Sequence, residues 1–270
     1  MNEQQIRRSQ IKLLNGRQLF DIELTTRCNK HCYCCPRQNL KRKNRDMSIS
    51  IFDKVCDWLP QNCDVIFAGF GEPLLHKDCA LFVNKLSKKS VGVSILTNGK
   101  LLTTEKTIEL FDAGLERLQI SILQRDETNE IAKYIEMTKN IDNIKIRFNI
   151  IYETTPMLPD NIYADLLENN YEIFFKKIHN RANKLYKDRN SNEIITCGTF
   201  FIDSFIDTNG LLILCCNDIN GNNSFGNVTE ISFVELQNKK REFLGNTPIS
   251  SICDCCTDEY RFKHLNFNDK

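Results

Sequence analysis

Between residues 17 and 178 the chain alternates strand-like and helix-like segments, and this alternation limits the fold more than any other feature. RQLFDIELT (17–25) suits a strand and SISIFDKVCDWL (48–59) a helix, with Ser50 and Asp53 spaced as a capping box. DVIFAG (64–69), VGVSILTNG (91–99), ERLQISIL (116–123), NIKIRFNIIY (143–152) and YEIFFKKI (171–178) read as further strands. The segments 77–88, 103–114, 126–140 and 159–170 between them are helical, and Gly114 stops one of them. Six strands with helical crossovers predict an α/β fold whose parallel sheet is covered on both faces.

After residue 178 the composition shifts. HNRANKLYKDRNSNE (179–193) is polar, basic and asparagine-rich, and reads as a linker or solvated surface excursion. FFIDSFID and LLILCC follow, separated by Thr208-Asn209-Gly210, a hairpin signal. SFVELQNKKREFLG (232–245) reads as a helix. A chain of 270 residues accommodates one substantial core, or one core and an appendage. A net charge of +1 gives no electrostatic argument for nucleic acid or a membrane surface. Neither a signal peptide nor a membrane span is visible, so a cytoplasmic location is expected.

In a reducing compartment, 13 cysteines point to metal or catalytic use before disulfides. CNKHCYCCP (28–36) holds four of them, and Cys28, Cys32 and Cys35 form C-x3-C-x2-C. A structural zinc site would need a fourth ligand, and His31 adjoins Cys32, where the two reach one ion only with strain. Three thiolates in one loop suit three corners of a [4Fe-4S] cluster, with the fourth iron open.

With that loop the sequence resembles the radical S-adenosylmethionine (SAM) superfamily, whose signature is this spacing after the first strand of a partial (β/α)6 barrel. Ala68-Gly69-Phe70-Gly71-Glu72-Pro73 follows the second strand and is similar to the family's GGEP element. Thr97-Asn98-Gly99 closes the third strand, and Ser121 lies where the fourth commonly meets the cofactor. The resemblance implies SAM on the open iron, with Glu72 accepting from its amino group and Phe70, Gly71, Thr97, Asn98 and Ser121 around it. It implies a 5′-deoxyadenosyl radical that takes hydrogen from an unactivated C–H bond, and a flavodoxin or ferredoxin-type reductant. The chain departs from the family at Cys34, which stands where an aromatic residue usually precedes the third cysteine; Tyr33 is one position early. Cys34 could compete as a ligand, but the x3/x2 spacing is complete without it.

The second cysteine centre lies near the C-terminus. Cys197 and Cys215 flank the hairpin turn, and Cys253 and Cys256 form C-x2-C. Four thiols from two distant segments can close a tetrahedral site, and on geometry zinc and a fully ligated [4Fe-4S] cluster are hard to separate. The spacing, with Gly226-Asn227-Val228 and the helix after it, resembles the twitch domain, a shortened relative of the SPASM domain, which implies one auxiliary [4Fe-4S] cluster. In layout the chain is similar to the butirosin-biosynthesis alcohol dehydrogenases. The expected division is an N-terminal segment 1–16, a radical SAM partial barrel 17–180 and a twitch/SPASM-like domain 181–270. Cys56, Cys63 and Cys79 are expected in the core, Cys255 lies between two ligands, and Cys216 is either packing or a hydrogen donor.

The leading reading is an oxidoreductase whose auxiliary cluster accepts an electron in the two-electron oxidation of a sugar, aminocyclitol or peptide. A second reading is a radical epimerase or crosslinking enzyme acting on a ribosomal peptide. A leader-binding domain often goes with such a substrate, and the chain has no room for one, which favours a small molecule. A third, from another class, is a zinc-stabilised non-catalytic binding protein. Arg147 and Asn149, two apart on the fifth strand, should share the barrel-interior face.

Overall fold

A computed structural model describes residues 17–187, 195–197, 203–245, 251–258 and 261–263; the N-terminal segment 1–16 lies outside them. The expected alternation appears as β1 (Leu19–Ile22), α1 (Ile49–Trp58), β2 (Asp64–Phe67), α2 (Cys79–Ser87), β3 (Gly92–Thr97), α3 (Thr104–Asp112) and β4 (Arg117–Leu123). It continues as α4 (Gln124–Glu127), α5 (Glu130–Thr138), β5 (Ile146–Tyr152), α6 (Asp160–Glu168) and β6 (Glu172–Lys177). The C-terminal part contains β7 (Ile195–Cys197), β8 (Asp203–Ile206), β9 (Leu211–Ile213), β10 (Ser224–Asn227), α7 (Phe233–Gly245), α8 (Ser251–Asp254) and β11 (Arg261–Lys263).

One nine-stranded sheet runs β10-β9-β8-β1-β2-β3-β4-β5-β6. β1 through β6 are parallel, β8 adds to β1 in parallel, and the β8–β9 hairpin with β10 continues antiparallel. β7 and β11 form a separate antiparallel pair. The hairpin closes as Thr208-Asn209-Gly210 predicts. Asp207 Oδ1 accepts from Asn209 N at 2.8 Å and Leu211 N at 3.0 Å, and Gly210 takes φ +81°, which glycine adopts without steric cost.

The sheet is not covered on both faces by helices. Phe20, Ile22, Val65, Phe67, Val93, Ile95, Phe148 and Ile150 point to one face and merge with apolar residues of α1, α2, α3, α5 and α6 into one core. Phe52 and Phe82 stack there at 3.8 Å, and Trp58, Phe20 and Phe233 meet edge-on at 5.8–5.9 Å. The alternate strand positions Asp21, Glu23, Gln119, Asn149 and Lys176 are polar and share the other face. Asp21 on β1 and Lys176 on β6 feel each other's charge across that face, and the six parallel strands form a partial barrel with these polar groups on its concave side.

Two local expectations are corrected. Ser48, not Ser50, caps α1, its hydroxyl accepting from Ile51 N at 3.2 Å. The helix expected over 126–140 is broken into α4 and α5, where Glu127 turns back to accept from Leu123 N at 3.0 Å and pairs with Lys30.

Candidate cofactor site at the strand ends

The first cysteine loop leaves the C-terminal end of β1. Arg27 clamps it by forking onto Asp46 at 2.9 and 2.6 Å, and Thr25 donates to the same carboxylate at 2.6 Å. The Lys30–Glu127 pair, nearly enclosed, ties the loop to α4. Cys35 N donates to Cys32 O at 3.1 Å, a turn that sets these two side by side. Cys28, Cys32, Cys34 and Cys35 are all half-buried, while His31 and Tyr33 are exposed. Burial pushes the Cys32 thiol up to about 12, against the pull of Lys30, and raises Cys34 and Cys35 as well. Among the described residues no three His, Cys, Asp or Glu side chains are closed into a ligand set. Cys32, Cys34 and Cys35 are thus thiols whose protons a bound cation would have to displace.

Beside the loop, Gly71 presses its backbone on β1's extension: a Cβ there would stand 1.9 Å from Thr25 O. No other residue allows that approach, which buries the next one, Glu72, to 2% exposure. Its Oε1 accepts from Thr97 Oγ1 at 2.7 Å and Leu74 N at 3.1 Å, and Oε2 from Asn98 N at 2.8 Å. Burial raises the Glu72 carboxyl, and these donors oppose the rise. Asn98 also reaches the cysteine loop, donating to Asn29 Oδ1 at 2.8 Å with Cys28 Sγ at 3.8 Å. Phe70 N donates to Glu23 Oε1 at 3.0 Å. Ser121 is half-buried on β4, paired with Asn149 of β5. Phe70, Gly71, Glu72, Thr97 and Asn98 thus surround one strand-end site with Cys28.

The second centre is partly assembled. Asn217 N donates to Cys215 Sγ and Asn217 Nδ2 to Cys256 Sγ, both at 3.4 Å, so these two sulfurs share one residue. Cys253 is one helical turn before Cys256, whose N donates to Cys253 O at 3.3 Å. Cys197 ends β7 opposite Arg261, and its side chain lies outside the described residues. The Cys255 thiol contacts Ile252 O at 3.6 Å. Cys216 lies among Arg181, Asp258, Lys176 and Asp21, and burial pushes its thiol up to about 12. Cys56, Cys63 and Cys79 are in the apolar core as expected.

The polar segment after β6 is not a solvated linker at its start. His179, Asn180 and Ala182 are buried to 5%, 0% and 3% exposure. Asn180 donates to Cys255 O at 2.6 Å and accepts from Thr257 N at 3.0 Å, and Asn39, just past the first loop, donates to Lys184 O at 3.0 Å. This segment therefore joins the two cysteine centres. Arg181, Ala182 and Asn183 all take positive φ (51°, 53° and 61°), a run that costs about 1–2 kcal/mol per residue and persists only where surroundings fix it. A second tie is Arg42, from the segment after the first loop. It pairs with Glu23 at 2.6 Å and Asp207 at 3.5 Å and donates to Ile219 O at 2.9 Å. Sequence reasoning missed Glu23, Arg42, Asn180 and Asn217, which lie outside any spaced motif.

Comparison with known proteins supplies the family. The radical SAM superfamily profile matches residues 22–153. A tungsten-containing aldehyde ferredoxin oxidoreductase cofactor-modifying protein of Pyrococcus furiosus is 33% identical over 104 residues, 37% of this chain and 29% of that relative's length. The fold is similar to BtrN in complex with AdoMet and 2-DOIA (TM-score 0.67, 18% identity, 90% of this chain and 94% of that one). It is also similar to Streptococcus suis SuiB bound to precursor peptide SuiA (TM-score 0.64, 13% identity, 94% and 73%). Residues 22–153, with the cysteine loop on β1 and the buried glutamate after β2, carry a radical SAM domain.

Proposed function

We propose that the chain is a radical SAM oxidoreductase that removes two electrons from a polar substrate, a sugar, an aminocyclitol or a peptide. The observation that carries this reading is Asn98, which bonds Glu72 through its N–H and stands against Cys28 through its side chain. It puts the thiol loop and the buried carboxylate on one site. Cys28, Cys32 and Cys35 would hold a [4Fe-4S] cluster. Glu72 Oε2, which accepts from Asn98 N, keeps a lone pair for the ammonium of SAM. Phe70, Gly71, Thr97, Asn98 and Ser121 would complete the cofactor pocket, with Thr97 and Asn98 also fixing Glu72.

Cys197, Cys215, Cys253 and Cys256 would hold one auxiliary [4Fe-4S] cluster in a twitch/SPASM-like unit over residues 181–270, beside a barrel over 17–180. When bound, the first cluster with SAM supplies a radical that takes hydrogen from carbon, and the second an acceptor for the electron left behind. The protein's part is to orient and to exclude water. Asp21, Gln119, Asn149 and Lys176 line the concave face with hydrogen-bonding groups, which suits a hydroxyl-rich or amide-rich substrate. The described residues contain no helix long and apolar enough to cross a membrane. A cytoplasmic enzyme served by a flavodoxin or ferredoxin-type reductant fits the clustered thiols. The radical SAM domain at residues 22–153 weighs against the zinc-stabilised binding protein.

One observation favours a second reading, epimerisation. Cys216 feels the charges of Arg181, Asp258, Lys176 and Asp21, and burial raises its thiol, which suits a hydrogen donor. Turnover in deuterium oxide decides between them. Oxidation gives one SAM consumed per product two hydrogens lighter, with Cys216→Ala nearly as active as wild type. Product of unchanged mass apart from one solvent deuterium on carbon would replace oxidation by epimerisation.

A further inference from the structure

Asn217 follows the Cys215-Cys216 pair that ends the hairpin and is buried to 3% exposure. Its two donors go to sulfurs from segments far apart in sequence: the backbone N–H to Cys215 Sγ and the side-chain amide to Cys256 Sγ, each at 3.4 Å. The price of this arrangement is visible in the same side chain, whose Oδ1 is buried without a hydrogen-bond partner. A leucine of similar shape would carry no such orphaned carbonyl. An amide that leaves its acceptor unsatisfied is retained for what its donor does, and its donor meets a cysteine sulfur.

A neutral thiol sulfur is a weak acceptor, so two N–H groups aimed at thiols gain little. The same donors gain much more when the sulfurs are metal-bound thiolates carrying negative charge. We propose that Asn217 is a positioning residue of the second cysteine centre, donating to the thiolates of Cys215 and Cys256 and raising the reduction potential of the cluster they hold. This rests on the reading of that centre as an auxiliary cluster. The sign follows from charge. Reduction adds an electron that is partly felt at the sulfurs, so donors to sulfur stabilise the reduced form more than the oxidised form.

The test is potentiometry of the full-length, anaerobically purified protein, with the first-loop centre as internal control. Asn217→Leu removes the side-chain donor while the backbone N–H stays, so the second centre should be harder to reduce by about tenfold, about 59 mV for one electron. Asn217→Asp puts a carboxylate beside the thiolate and should shift it further in the same direction. Asn217→Gln, which keeps an amide donor, should recover most of the shift. The first-loop centre should keep its potential throughout. An unchanged second-centre potential in Asn217→Leu and Asn217→Asp at full iron content would overturn the role of Asn217 alone. A wild-type protein with only one reducible centre would overturn the two-cluster reading, and this inference with it. Should Asn217→Leu lose iron, selective loss of the second centre's share, with retention in Asn217→Gln, supports the positioning role; equal loss in both overturns it.

Discussion

Glu72 is where the residue-level argument is most exposed to test. Its carboxylate is enclosed, takes donors from Thr97, Leu74 and Asn98, and has capacity for one more on Oε2. A charge-assisted bond in such a place contributes about 1.5–3 kcal/mol. Glu72→Ala should therefore weaken SAM binding by roughly ten- to a hundredfold at intact iron content, measured by equilibrium dialysis. Unchanged affinity would mean that Glu72 only organises the turn. Asp21 gives a pH prediction. Burial raises its carboxyl from 3.8 to about 7, with Lys176 opposing. The fold thus prefers the protonated acid, and its contribution to stability is present below about 4 and lost as pH rises to about 7. Asp21→Asn should leave urea stability unchanged near pH 4 and become increasingly more stable than wild type toward pH 7, with a constant difference above it. The opposite slope would show that Lys176 outweighs burial. Both glutamate and thiols were legible because their motifs are local. Glu23, Arg42 and Asp207 were not, because an ion-pair network assembled from three separate segments has no period or spacing in the sequence.

At the scale of elements, periodicity located the six parallel strands because each alternates or runs apolar under a helix. It failed where a tertiary contact overrode local preference. The helix expected over 126–140 breaks because Glu127 is claimed by Lys30 and Leu123 N. The asparagine-rich stretch read as solvated surface becomes a buried turn because Asn180 satisfies the backbone of Cys255 and Thr257. Asn180→Ala would remove the hydrogen bonds to Cys255 O and Thr257 N, costing about 1–3 kcal/mol locally. Hydrogen exchange should accelerate at residues 253–258 with the β1–β5 amides unchanged; uniform acceleration would contradict this local role. α1 shows the contrasting case of core packing. Phe52 stacks on Phe82 at 3.8 Å and is fully buried. Phe52→Ala should cost about 3–5 kcal/mol in urea unfolding, and a loss below about 1 kcal/mol would mean the core collapses around the gap.

Across the whole molecule, the sheet carries one cysteine centre on β1 and reaches the other through β8 and β9, which add directly to β1. Arg42, Asn39 and Asn180 cross between them, so hydrogen bonds and an ion pair tie the two centres together. The family was legible from the loop, the glutamate turn and the strand count together. The substrate was not, because the interior polar residues come one or two from each strand and only the curl of the sheet brings them together. The most direct test of the account is iron content and SAM cleavage of the anaerobic protein beside the Cys28→Ala, Cys32→Ala, Cys35→Ala triple variant. The account predicts about eight irons in the wild type, about half of that in the variant, and no SAM cleavage without the loop thiols. Cleavage of SAM by the triple variant at the wild-type rate would contradict it.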